Sequence, residues 1–136
     1  MRWAPAATRD AVPYRGIIIE ESLEDRGVLH SFRVLETRIE VVTERHKTPW
    51  VTQWTLHTVE IPEEAAAHVA AKLSEALDPV HAWYADFKNE ATLYIVFRNR
   101  VFRVDRRSER AYDAPRQYGM ALGIPEYQLD FSPEIP

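Results

Sequence analysis

One segment of this sequence carries a clear helical period, and everything around it has to be read as its packing partner. From Pro62 to Leu77, the residues Ala66, Val69, Ala70, Leu73 and Leu77 recur at helical spacing and make one apolar stripe. Pro62 suits a first helical position, Glu63 and Glu64 complement the positive end of the helix dipole, and Asp78-Pro79 ends the run. The stripe is narrow and rich in alanine, so a second layer can approach it closely. It cannot form a core alone.

The flanking sequence supplies that layer as strands, three on each side. Tyr14 to Glu20 is rich in β-branched residues. After a polar connector ending in Gly27, the run from about Val28 to Thr43 alternates. Leu35, Ile39 and Val41 fall on one face, Glu36, Arg38 and Glu40 on the other. This predicts a half-buried strand, antiparallel to the first and joined to it by a long hairpin loop. Trp50 to Ile61 is the third strand. Its apolar residues switch face between Leu56 and Val59, which predicts a bulge or a strand covered on both sides.

Beyond the helix, His81 to Lys88, Thr92 to Arg98 and Val101 to Asp105 read as three short strands. A two-residue loop at Asn99-Arg100 sets Phe97 opposite Phe102 and Ile95 opposite Val104. Leu93, Ile95, Phe97, Phe102 and Val104 then share one apolar face. A second helix is predicted from about Pro115 to Leu122, stopped by Gly123 and Pro125, and Tyr127, Leu129 and Phe131 return to the core. The expected fold is α+β: one mainly antiparallel sheet of about six strands in the order βββαβββα, with the helices packed on one face. Residues 1–13, with Pro5 and Pro13, read as a flexible arm, and residues 14–136 as one domain.

Composition narrows the function classes. The chain of 136 residues has no cysteine, which removes disulfides and thiolate chemistry and fits a reducing compartment. Its N-terminus lacks the apolar stretch of a signal peptide, and its longest aliphatic run, Ile17-Ile18-Ile19, is far too short to cross a membrane. A cytoplasmic protein without membrane attachment is expected. The net charge of -4 argues against a general attraction to nucleic acid.

Against that balance stands a cluster of arginines at 98, 100, 103, 106, 107 and 110. Guanidinium groups fork onto phosphates and carboxylates, and the hairpin register puts Arg98 and Arg103 beside Tyr94 on one face. Arg98, Arg100, Arg103 and Tyr94 are therefore candidate residues for an anionic ligand, nucleotide or nucleic acid. The same arginines equally suit a solvated sheet edge protected against pairing, and no glycine motif for phosphate accompanies them.

A second constellation is His81-Ala82-Trp83-Tyr84-Ala85-Asp86-Phe87-Lys88. In a regular strand His81 shares a side with Trp83, and Tyr84 shares the other with Asp86. An acid or imidazole beside large aromatics can have a shifted pKa, which makes His81, Tyr84 and Asp86 the candidate catalytic residues. An aromatic core strand explains the same pattern. Trp50 and Trp54 are candidates for a pocket wall or a subunit interface. The five histidines show no metal-binding spacing, the serines no nucleophile motif, and no metal or cofactor is expected.

The segments Trp83-Tyr84-Ala85-Asp86-Phe87-Lys88-Asn89, Leu93-Tyr94-Ile95-Val96-Phe97 and Tyr118-Gly119-Met120-Ala121-Leu122-Gly123-Ile124-Pro125 resemble those of a family of short uncharacterised bacterial proteins. The similarity runs from about Tyr14 to Phe131. It implies a stand-alone bacterial cytoplasmic protein and brings no activity, cofactor or catalytic residue with it. The leading functional expectation is a small binding module that self-associates or binds a partner protein, rather than an enzyme. Anion recognition by the arginine hairpin comes next, and a small-molecule enzyme using Asp86, Tyr84 or His81 third.

Overall fold

The computed structural model describes residues 12–129 and residue 131. The elements follow the expected order: β1 (Tyr14–Ile19), β2 (Arg33–Val41), β3 (Gln53–Ile61), α1 (Ala66–Ala76), β4 (Tyr84–Lys88), β5 (Thr92–Phe97), β6 (Arg100–Asp105) and α2 (Asp113–Ala121). The strands form one antiparallel sheet, ordered β2-β3-β1-β4-β5-β6. Of the expected N-terminal arm, residues 1–11 lie outside the described residues, while Val12 and Pro13 are exposed.

The predicted stripe of α1 is buried, and it packs on Tyr14, Ile18, Val59, Ile61, Phe87, Tyr94 and Val96. Ser74, also on that buried side, donates its hydroxyl to the Phe97 carbonyl at 2.7 Å, so this polar group is satisfied where it is buried. α2 and the tail cover a second core containing Leu93, Ile95, Phe97, Val104, Leu129 and Phe131. Alternate residues of β5 thus belong to different cores. The two helices lie on opposite faces of the sheet, not on one face as the sequence suggested. β5 has apolar residues on both sides, and a strand of that kind needs cover on both sides.

β2 also departs from its expected place. It does not pair with β1 and is not half-buried; it is an edge strand beside β3, with every residue exposed. The polar connector after β1 is not a hairpin loop. It folds into 3₁₀ turns at Glu20–Ser22 and Arg26–Ser31. Leu23 and Val28 are buried there, and Leu23 bridges to Leu77 beyond the end of α1. This detour returns the chain on the far side of β3. A register shift between Val34 and Glu36 puts a bulge in β2, whereas β3 buries side chains on both faces, Leu56 on one and Val59 and Ile61 on the other.

The β5–β6 hairpin is shifted by two residues from its predicted register. Phe97 pairs with Arg100, Ile95 with Phe102 and Leu93 with Val104, and the loop is Arg98-Asn99. Asn99 takes the positive φ of 63°, which asparagine tolerates better than the arginine that the other register required. A slip of two preserves the faces, so the predicted apolar set survives intact.

Candidate ligand-binding cleft

α2 has nine residues and shields the β5–β6 side of its sheet face. The β1–β3 side of that face carries Ile17, Ile19 and Leu56, and it forms the floor of a cleft of about 590 Å³. Ligand pockets commonly fall in this size range and combine apolar walls with few polar groups. Trp50, Trp54 and Trp83 stand on one side; Leu122, Gly123, Ile124 and Pro125, the turn after α2, stand on another. Gly123, with φ of 94°, lets that turn close. No helix among the described residues is long and apolar enough to cross a membrane.

The structure brings five of the candidate residues to this one cleft: Trp50, Trp54, His81, Tyr84 and Asp86 all line it. His81 was expected on the side opposite Asp86. It arrives because β4 begins at Tyr84, not at His81, which frees the preceding residues from strand alternation. Its ring stacks on Trp50, with centroids 3.9 Å apart and planes 9° from parallel.

Asp78, read from sequence as a helix stop, orients His81. One carboxylate oxygen accepts from His81 Nδ1 at 2.8 Å and from Trp83 Nε1 at 3.3 Å; the other accepts from the Val80 N–H at 2.8 Å. Burial alone would raise the Asp78 carboxyl, but these donors outweigh it and hold the group below its ordinary value. An ionised carboxylate only accepts hydrogen bonds, so His81 Nδ1 is the donor in this contact and Nε2 is turned away from Asp78. The three-residue spacing of Asp78 and His81 was the available signal, and it is a weak one.

Asp86 lies on the sheet opposite Ile17 on β1 and Ile95 on β5. Burial pushes its carboxyl up to about 6, against the opposing charge of Lys88. The residue remains partly accessible from the cleft, and no hydrogen-bond donor among the described residues reaches its carboxyl. Tyr84, next on the same face, donates its hydroxyl to the Gln128 carbonyl and so ties β4 to the tail. Trp54 donates Nε1 to Thr48 Oγ1 at 3.0 Å, leaving its ring fixed at the rim.

The arginine candidates are not brought together. Arg98 donates Nη1 to the Glu75 and Leu77 carbonyls, both at 2.7 Å, and so closes the end of α1. Arg100 lies over the Phe102 ring at 4.5 Å, on the α2 face. Arg103 shares the α1 face with Tyr94, as expected, and the shifted register sets the two directly opposite each other. Arg106 is buried and donates to the Asn89 carbonyl.

Histidines 46 and 57 are fully engaged. His57 bonds Glu20 and Thr37, both at 2.8 Å, and His46 bonds Glu40 at 2.7 Å and the Thr43 N–H at 2.9 Å. Among the described residues no three acidic or histidine side chains are grouped to hold a metal ion. No protein-family model, curated protein or solved structure matches the chain.

Proposed function

We propose that the cleft binds a small, largely apolar molecule bearing a protonated amine, with Asp86 as its counter-group. One observation carries this reading: a partly accessible carboxyl that no donor among the described residues reaches sits on an apolar floor below tryptophan rings. Such a carboxylate gains most from a cationic donor, and aromatic faces favour the same charge. Isothermal titration calorimetry with phenethylamine, and with phenylpropionate and phenylethanol as matched acid and alcohol, tests it. The amine binds best, and Asp86→Asn removes that preference. Equal binding of all three, no binding, or an indifferent Asp86→Asn variant overturns it.

A second reading, proton transfer on a ligand in the cleft, is favoured by the Asp78–His81 pair. It holds the ring with Nδ1 on the carboxylate and Nε2 turned away from it, the orientation in which a histidine is positioned for proton transfer. Nearby Asp86, with its raised pKa, would supply the complementary acid. Anion recognition by the arginine hairpin gains less support, since Arg98 is committed to α1 and Arg100 and Arg103 occupy opposite faces.

The wider setting we propose is a self-associating cytoplasmic protein akin to the short bacterial proteins it resembles. The cysteine-free composition supports the compartment. The edge of β2, which no strand among the described residues pairs, supports association.

A further inference from the structure

We infer that two copies of the chain pair through β2, antiparallel and centred on Ile39, to form one continuous sheet. The inference is independent of the cleft; it deepens the proposal of self-association by naming the surface and the register.

β2 presents nine exposed residues along an edge that no strand among the described residues pairs, with Ile39 62% and Val41 75% exposed. Its backbone has a defined outward side. The Val42 N–H donates to Thr52 on the β3 side. In an antiparallel ladder alternate residues turn both backbone groups to the same neighbour, so Thr37, Ile39 and Val41 turn theirs outward. Thr55 agrees with this: it lies opposite Ile39 yet gives its N–H to the Glu21 carboxylate at 2.6 Å.

A two-fold axis perpendicular to the sheet pairs each residue with its mirror position along the strand. Centred on Arg38, it sets Arg38 against itself and Glu36 against Glu40. Centred on Glu40, it sets Glu40 against itself. Like charges directly opposite are unfavourable, so both registers are disfavoured. Centred on Thr37, it uses Leu35, which lies in the bulge between Val34 and Glu36, where the strand is irregular.

Centred on Ile39, the register avoids the bulge and satisfies every term. On one face Ile39 meets Ile39 and Thr37 meets Val41, which covers the two most exposed apolar residues of the strand. On the other face Arg38 meets Glu40 of the second copy, twice. The outward backbone groups of Thr37, Ile39 and Val41 all find partners. Unprotected edges of this kind are the usual template for such pairing.

The test is sedimentation velocity across a concentration series, on the full chain and four variants. Ile39→Pro removes an outward N–H that the β2–β3 ladder does not use, so the monomer keeps its fold while pairing is lost. Arg38→Glu weakens association about tenfold or more, because two opposite-charge pairs become like-charge pairs. Adding Glu40→Arg to Arg38→Glu restores it, whereas adding Glu36→Arg instead does not; rescue by Glu36→Arg would move the axis to Thr37 and overturn the register. A full chain that stays monomeric overturns self-association as a whole. A dimer indifferent to Ile39→Pro, with unchanged circular dichroism, overturns the β2 pairing alone. Amine binding in the cleft is measured separately and survives either result.

Discussion

A Cβ placed on Gly16 would stand 2.1 Å from the carbonyl oxygen of Asp86 and 2.8 Å from the Phe87 Cα. The close approach of β1 and β4 that seats Asp86 on the cleft floor therefore depends on a missing side chain. Gly16→Ala must push backbone against backbone, which cannot relax as a flexible side chain would. It is expected to cost about 3 kcal/mol, read from urea denaturation.

Asp86 should make stability depend on pH. Its carboxyl is raised from 3.8 in a free residue to about 6 in the fold. Below about pH 4 the group is protonated in both states and costs nothing. Between about 4 and 6 the unfolded chain releases the proton and the folded protein keeps it, so stability falls as pH rises. Above about 6 the cost is complete, on the order of 2–3 kcal/mol. Asp86→Asn is therefore expected to raise the thermal midpoint at pH 7.5 and to leave it unchanged at pH 4. A midpoint lowered at both values would contradict this account of the site.

The same ionisation should govern the cleft. With a carboxyl near 6, roughly a tenth of the molecules carry the negative charge at pH 5. Phenethylamine affinity is expected to rise about tenfold between pH 5 and 7.5, and calorimetry at the two values measures it. In Asp86→Asn the pH dependence should disappear.

Two arginines of the hairpin should behave differently. Arg98→Ala leaves the Glu75 and Leu77 carbonyls at the end of α1 without their donor, and about 1–2 kcal/mol of stability should go with it. Arg103→Ala changes an exposed position and should stay within about 0.5 kcal/mol. Parallel denaturation curves distinguish the two.

What the sequence made legible was whatever rests on local periodicity. The α1 stripe, the order of strands and helices, and the apolar face of the β5–β6 hairpin all follow from spacing, and the hairpin faces survived a register error because that error was even. The placement of β2 was not legible. It depends on Leu23 and Val28 docking against α1, and neither residue belongs to a periodic run. The cleft was half legible. Asp86 and Tyr84 share a strand face that alternation reveals, but His81 joins them only because the strand starts three residues later than its composition suggests. Asp78 and the turn at Leu122–Pro125 reach the site through tertiary packing, which leaves no periodic trace in the chain.

β5 hands alternate side chains to two separate cores, Tyr94 and Val96 to one and Leu93, Ile95 and Phe97 to the other. Neither layer can open without exposing this strand. Its amide protons should therefore be the slowest in the molecule to exchange with solvent, lost only through global unfolding, while those facing outward from β2 exchange first in the dissociated monomer. The two helical layers, although they never share a face, are then bound into a single cooperative unit by six residues of chain.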